Sequence, residues 1–146
     1  SQMPCVTLSL RAACKDNART EIQSKNHSWV IDEPKLFGGE DTAPSPVEML
    51  LGSLAGCIAA AGHLIAQEMG IGLKALDIAI DGEIDSQVFL GKGDGGRAGF
   101  RRIAVSLTAD ADWTPAQQAE WMEQVNRRCP VIDNLTLSTS VEIDFA

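Results

Sequence analysis

The chain has 146 residues, of which 45% are hydrophobic and 22% are charged, a composition typical of one globular domain. Its formal net charge is −8, and this acidic balance argues against a nucleic-acid or anionic-membrane partner. A domain of this length folds without disulfides or a metal, so its four cysteines need another explanation. We expect a single domain over residues 1–146.

The amino-terminal residues lack the basic start and the unbroken apolar run of a secretory signal. We therefore expect a cytoplasmic protein, in which cysteines are thiols unless they have a redox role. The sequence has no Cys-x-x-Cys pair, and His27 and His63 are its only histidines. It therefore predicts no bound metal.

The first third of the chain predicts an antiparallel β meander. Three short stretches alternate apolar and polar side chains, as half-buried strands do, and turns separate them. These stretches are residues 6–12, 19–25 and 29–32. Residues 33–45 contain two prolines and two glycines, which indicates a loop.

A long apolar helix follows, predicted from the N-cap Ser45 to the C-cap Gly70. Pro46 suits the first helical position, and Glu48 completes a capping box with the serine. From residue 49 to residue 66 only one serine and one histidine are polar, so the helix must be covered on all sides. A membrane span is disfavoured because flanking basic residues are missing.

One face of this helix is lined by small residues. Gly52 and Gly56 are four residues apart, and Ala60 and His63 continue the same face. Another helix can approach such a face closely, and the sequence leaves open whether it comes from this chain or from a second copy. We favour a homodimer.

Two further strands are predicted around residues 76–80 and 103–107. The loop between them, at residues 91–96, matches the Gly-x-Gly-x-x-Gly pattern of dinucleotide-binding proteins. That motif must be followed by a helix, whereas strand alternation follows here. We therefore interpret residues 91–96 as a hairpin loop.

A second capping box begins an amphipathic helix at Thr114, and Pro130 interrupts this helix directly after Cys129. Alternation over residues 137–145 predicts a last strand. The predicted order is βββ-α-ββ-α-β, which indicates an α+β fold with an antiparallel sheet covering the helices.

The four cysteines have different settings. Cys57 lies within the apolar helix and Cys129 at the helix break, while Cys5 and Cys14 flank the first predicted strand. A buried cysteine in an apolar helix is most often a small hydrophobic residue. Taken alone, none of these positions establishes a reactive thiol.

Two motifs change this interpretation. One runs from Asp32-Glu33-Pro34 through Gly38-Gly39 and residues 42–48 to Leu54-Ala55-Gly56-Cys57, and the other is Cys129-Pro130-Val131. Together they resemble the OsmC/Ohr family along nearly the whole chain. The resemblance implies antiparallel β-sheets wrapped around two central helices, and an intertwined homodimer whose active sites use both subunits.

The resemblance also implies a cysteine-based peroxidase that reduces organic hydroperoxides. In such a protein Cys57 attacks the peroxide and becomes a sulfenic acid, which Cys129 converts into a Cys57–Cys129 disulfide before over-oxidation occurs. An external dithiol of the lipoyl type would then reduce the disulfide. No bound cofactor is implied.

A thiolate, not a thiol, is the nucleophile, and an ordinary cysteine has a pKa of about 8.5. An apolar helix therefore requires a nearby cation, which by resemblance is Arg19, with Arg11 as a weaker candidate. In the hydroperoxide-resistance branch a glutamate directly follows the helix-opening proline and holds this arginine. Here Val47 has that position and Glu48 follows, so Glu48 is either the orienting carboxylate or only a helix cap. The long loop with Asp32-Glu33-Pro34 and Gly39-Glu40-Asp41 resembles the OsmC-like branch more closely than either named peroxidase branch.

Two other functions are considered. The first is a non-catalytic OsmC-like protein that binds an apolar small molecule in the dimer crevice. The second, a cysteine hydrolase, is disfavoured because the sequence offers no supporting histidine and asparagine arrangement. His63 lies six residues after Cys57, which rotates it by about 240° to a different helix face.

Overall fold

The computed structural model describes residues 5–93 and 96–146. The chain divides into two compact units, the first ending at Leu50 and the second beginning at Leu51. A three-stranded antiparallel sheet belongs to the first unit and a two-stranded antiparallel sheet to the second. The α+β class predicted from the sequence is confirmed.

The first unit contains the predicted meander, with strands β1 (Arg11–Cys14), β2 (Thr20–Ser24) and β3 (His27–Ile31) in that order. Lys25, with φ 54°, turns the chain between β2 and β3. The prediction that β1 begins near residue 6 is wrong, because this turn ends β2 and leaves the earlier residues without a strand to bond. Residues 5–10 are exposed instead.

The loop after β3 contains one turn of 3-10 helix, Lys35–Phe37. Gly38 ends that turn with φ 91°, a conformation that favours glycine. A side chain at Gly39 would collide with the Glu33 carbonyl oxygen and the Asp32 carboxylate. Glycine is therefore required at position 38 by the backbone conformation and at position 39 by the lack of space for a side chain.

Helix α1 spans Pro46–Glu68, close to its predicted bounds, and Gly70 follows with φ 69°. The predicted capping box forms. The Glu48 amide donates to Ser45 Oγ at 3.3 Å, and the Ser45 amide donates to Glu48 Oε1 at 3.1 Å. These contacts satisfy two amides that a helix start otherwise leaves unpaired.

The described residues of this chain cover one face of α1. Leu54, Ile58, Ile65 and Ala66 are buried, whereas the opposite small-residue face is exposed. The expectation of cover on all sides is therefore not met by the single chain. By length and composition alone α1 could cross a membrane, as core helices of soluble proteins often can.

In the second unit, strands β4 (Leu73–Glu83) and β5 (Arg102–Ala111) pair antiparallel, with their inner apolar side chains against the helices. The connection includes the short helix α2 (Ser86–Phe89), which was not predicted. Of the glycine-rich loop, residues 94 and 95 lie outside the described residues. A strand follows this loop, as predicted.

Helix α3 spans Pro115–Arg128 and begins with the predicted capping box. Its C-cap is Cys129, and helix α4 (Pro130–Thr136) starts at the following residue. The predicted interruption at the proline is confirmed. The short α4 was not predicted, because seven residues carry too few helical turns for a clear periodic pattern.

The predicted last strand at residues 137–145 is wrong for this chain. No strand is assigned from residue 137 to residue 146, and the exposed apolar side chains include Val141, Ile143 and Phe145. A strand forms only when a neighbouring strand accepts and donates its backbone hydrogen bonds. Among the described residues this segment is paired with none.

The core of the second unit joins α1 to α3. Its buried members are Leu54, Ile58, Ile65, Ala66, Ile71, Trp121 and Val125. Trp121 Nε1 also donates to the Gly62 carbonyl oxygen at 2.8 Å, and a Cβ on Gly62 would lie 2.6 Å from Trp121 Cζ2. The Trp121 indole thus packs directly on the backbone of α1. This close approach is possible because residue 62 is a glycine and has no side chain.

Candidate redox site

The structure brings together Cys57 and Cys129. Their sulfur atoms are 2.8 Å apart, about 0.8 Å longer than a disulfide bond. Both are free thiols; Cys57 is half-buried and Cys129 is fully buried. A disulfide between them would require this distance to shorten by about 0.8 Å and an oxidant to remove two electrons and two protons.

Regular structure positions both sulfurs. Cys57 lies within α1, one residue before the buried Ile58. Cys129 caps two helices at once, since its amide donates to the Val125 carbonyl at 3.0 Å and its carbonyl accepts from the Asp133 amide at 3.1 Å. The residue before a proline avoids the helical conformation, and Cys129 accordingly has φ −79° and ψ 112°.

The two thiols are not equivalent. Burial raises the pKa of Cys129 first, its hydrogen bond to Cys57 raises it further, and the backbone amides of Ile132 and Val131 oppose this only in part. Cys129 is therefore a protonated thiol at neutral pH, and it donates its hydrogen to Cys57 Sγ. Cys57 is the more accessible of the two sulfurs.

Arg19 precedes β2 in the first unit and is two-thirds buried at its side chain, with 33% exposed. Its Nε donates to Thr42 Oγ1 at 3.2 Å, and its Nη1 pairs with Glu21 Oε1 at 3.2 Å. Arg11, the weaker candidate, is exposed on the edge strand β1. The arginine partners that the structure shows are thus a hydroxyl and an exposed carboxylate.

The hydroxyl of Thr42 is itself held by a buried carboxylate. Asp32 is 0% exposed and accepts from Thr42 Oγ1 at 2.6 Å and from the amides of Glu33, Glu40 and Thr42 at 2.8–3.1 Å. Burial alone would raise the pKa of Asp32, but the Thr42 hydroxyl and these amides lower it well below its usual range. The loop folds around a charged carboxylate.

Asp32 belongs to one of the two sequence motifs, but the sequence assigns it no role. Its signal is weak, because an aspartate before a loop is common and its partners lie up to ten residues away. Asp32 fixes Thr42, and Thr42 contacts Arg19. The carboxylate is therefore connected to the arginine side chain by two hydrogen bonds that share the Thr42 hydroxyl.

Glu48 makes the capping contacts described above, and its Oε1 also accepts from Ser45 Oγ at 2.8 Å. These hydrogen bonds, first from the Ser45 hydroxyl and then from its amide, lower the pKa of Glu48. The contacts account for Glu48 as a helix cap, and its catalytic role stays a prediction.

The four predicted site residues lie in different parts of the chain. Arg19 and Glu48 belong to the first unit, whereas Cys57 and Cys129 belong to the second. Cys5 and Cys14 are exposed. Within residues 5–93 and 96–146, no three histidine, cysteine, aspartate or glutamate side chains are grouped as metal ligands.

Comparison with known proteins identifies the fold. The structure is similar to an OsmC-like protein from Mycoplasma pneumoniae, with a TM-score of 0.76 and 21% identity over 89% of this chain and 87% of that one. It is also similar to an organic hydroperoxide resistance protein OsmC from Legionella pneumophila (TM-score 0.61, 15% identity, 92% of each chain). A third similar structure is the organic hydroperoxide resistance protein OhrB of Bacillus subtilis (TM-score 0.57, 18% identity, 91% and 93%).

No curated protein matches the sequence. Residues 38–144, however, match the family model for OsmC-like proteins. This range contains Gly38 and Gly39, helix α1, Cys57 and Cys129. It therefore includes both motifs that suggested the resemblance, except for the segment Asp32-Glu33-Pro34, which lies before it. The chain belongs to the family of OsmC-like proteins.

Proposed function

We propose that this chain is a thiol-dependent peroxidase that reduces organic hydroperoxides. The observation that carries the proposal is the buried Cys129 thiol, hydrogen-bonded to the more accessible Cys57 sulfur at 2.8 Å. Two of the similar structures are named as organic hydroperoxide resistance proteins, which supports the same class of substrate.

In the proposed cycle the Cys57 thiolate attacks the terminal peroxide oxygen and the O–O bond breaks. The alkoxide that leaves takes a proton and becomes an alcohol, so the hydroperoxide is reduced and Cys57 is oxidised to a sulfenic acid. The Cys129 sulfur then attacks Cys57, forming the disulfide and releasing water. A dithiol reduces this disulfide, which restores both thiols and yields an oxidised dithiol.

The proposal is tested by titrating the reduced protein with cumene hydroperoxide and mapping the products by mass spectrometry. We expect one equivalent of hydroperoxide to remove two thiols and to produce a Cys57–Cys129 disulfide with one equivalent of alcohol. A Cys57 thiol that survives stoichiometric hydroperoxide would refute the peroxidase and favour the alternative, a non-catalytic protein that binds an apolar small molecule.

Arg19 is proposed as the cation that favours the Cys57 thiolate, as the family resemblance implies. Arg19→Ala should slow alkylation of Cys57 by iodoacetamide at pH 7 about tenfold and shift its rate profile to higher pH, because less thiolate is present. Arg11→Ala is the matched control and should leave the profile unchanged. An Arg19→Ala profile that coincides with the wild type would remove Arg19 from the site.

The chain is further proposed to work as an intertwined homodimer. The exposed small-residue face of α1 and the exposed apolar segment after residue 136 both support this, since each offers apolar surface to a second copy. A Cβ placed on Gly56 would have no neighbouring atom within 4 Å, so Gly56→Leu would fit a lone chain. We expect sedimentation to give a dimer for the wild type and a monomer for Gly56→Leu; a monomeric wild type would refute the dimer.

The proposed reductant is an external dithiol of the lipoyl type, acting in the cytoplasm. A dithiol completes the reduction intramolecularly after its first attack, whereas a monothiol needs a second molecule. Turnover should therefore be supported by dihydrolipoamide much better than by glutathione at equal thiol concentration. Equal rates with the two reductants would contradict this preference.

A further inference from the structure

We propose that the ion pair between Glu68 and Arg128 positions the resolving thiol, so that Cys129 reaches the Cys57 sulfenic acid before a second hydroperoxide does. The inference rests on the proposed function and adds two positioning residues to it. Neither residue touches a reacting sulfur in this structure; both act through the backbone next to Cys129.

The ion pair joins the ends of two helices. Glu68 is the last residue of α1, and Arg128 is the last residue of α3, directly before Cys129. The contact is bidentate, with Arg128 Nη1 2.7 Å from Glu68 Oε1 and Nη2 2.8 Å from Oε2. Two parallel charge-assisted hydrogen bonds fix direction as well as distance.

The Arg128 guanidinium also forms a hydrogen bond within its own helix, α3. Gln124 Oε1 accepts from Arg128 Nη1 at 3.3 Å. The hydrogen bonds with Arg128 lower the pKa of Glu68 and those with Glu68 raise the pKa of Arg128, so both groups are charged across the neutral range. The pair is therefore formed under the conditions in which the thiol chemistry would operate.

Besides apolar packing, the hydrogen bonds seen among the described residues connect α1 with α3 and its C-cap at three places. Trp121 donates a hydrogen bond to the Gly62 carbonyl, Cys129 donates one to Cys57 Sγ, and Arg128 forms the ion pair with Glu68. The first link lies two helical turns before Cys129, and the second is the one whose chemistry changes during the cycle. The ion pair lies at the residue next to Cys129, so it ties the last residue of α3 to α1 independently of the sulfur–sulfur contact.

Position matters here because two reactions compete for the sulfenic acid. Condensation with the Cys129 thiol forms the disulfide and releases water. Attack of the sulfenic acid on another hydroperoxide forms a sulfinic acid and an alcohol, which inactivates the site. The first reaction is intramolecular, and its rate falls when the thiol is held less closely.

The test compares Glu68→Gln with the wild type at rising cumene hydroperoxide concentration, using mass spectrometry to measure the ratio of Cys57 sulfinic acid to Cys57–Cys129 disulfide. We expect this ratio to rise about two- to fivefold in the variant, in line with the modest strength of a partly exposed pair. The second-order rate of the first oxidation of Cys57 should not change.

Two further variants separate positioning from a general loss of stability. Arg127→Ala removes the neighbouring arginine, whose contact is with Gln124, and should leave the ratio at the wild-type value. The reversed pair, Glu68→Arg with Arg128→Glu, should bring the ratio back toward wild type. Thermal unfolding of each variant shows whether all remain folded at the assay temperature.

The outcomes distinguish the two proposals. If the wild-type protein forms no Cys57–Cys129 disulfide, the proposed function fails. If the wild type forms the disulfide but Glu68→Gln gives the same ratio of products, or Arg127→Ala raises the ratio equally, the positioning role is overturned and the proposed function stands.

Discussion

Cys57→Ser should lower the rate of cumene hydroperoxide reduction by about 10³-fold or more, because a serine hydroxyl is a far weaker nucleophile toward peroxide than a thiolate. The rate is measured as hydroperoxide consumed with excess dihydrolipoamide. Cys129→Ser should behave differently: it keeps the first oxidation and consumes about one equivalent rapidly. When the dithiol is left out, its sulfenic acid has no internal partner, and a second hydroperoxide oxidises it to a sulfinic acid with release of a second alcohol.

Cys14→Ser is the matched control, since Cys14 is an exposed thiol at the end of β1. This variant should retain wild-type turnover. If Cys57→Ser still consumes hydroperoxide at the wild-type rate, Cys57 is not the nucleophile. If Cys14→Ser loses activity, the nucleophile has been assigned to the wrong cysteine.

Gly62→Ala should be strongly destabilising although alanine normally favours helices. The new methyl group would lie 2.6 Å from Trp121 Cζ2, in a place where the indole is 2% exposed and is held by its hydrogen bond to the Gly62 carbonyl. Overpacking of this kind costs about 1–3 kcal/mol of unfolding free energy. The melting temperature should therefore fall by roughly 3–10 °C.

A double-mutant cycle attributes that loss to the predicted contact. Trp121→Phe removes the ring atom that the methyl group would meet, so Gly62→Ala should cost less in the Trp121→Phe background than in the wild type. Equal costs in the two backgrounds would show that the destabilisation arises elsewhere. Both measurements use reversible thermal unfolding of the reduced protein.

Elements with local signals were predicted well. The capping boxes at Ser45 and Thr114 and the proline after Cys129 each act within a few residues, and the structure shows helix boundaries at all three. Such signals work because the groups that satisfy the first amides of a helix are neighbours in sequence.

Strands at the two ends of the chain were predicted less well. Alternation at residues 6–10 and 137–145 indicates which side chains would share a face, but a strand also needs a partner, and the pattern does not contain it. Both segments expose their apolar side chains in the single chain. Their alternation would be explained if a second copy supplied the missing strand, which is a part of the homodimer proposal.

The candidate site was predictable only in part. Cys57 and Cys129 were paired through the family resemblance, because spacing in sequence does not show that two residues meet in space. The sequence does not reveal the role of Asp32, because its hydrogen-bond donors Glu40 and Thr42 lie eight and ten residues away and approach it only in the folded loop. The contact between Arg128 and Glu68 joins residues 60 positions apart and has no pattern that reveals it.

The location of both sulfurs on regular structure has a consequence for the energy of the cycle. Where two sulfurs lie far apart, a segment must unfold locally before they can meet, and such local opening has its own free-energy cost. Here Cys57 is inside a helix and Cys129 caps two helices, with the sulfurs already in contact. Disulfide formation should therefore proceed by side-chain rotation alone, with no dependence on denaturant concentration below the unfolding transition.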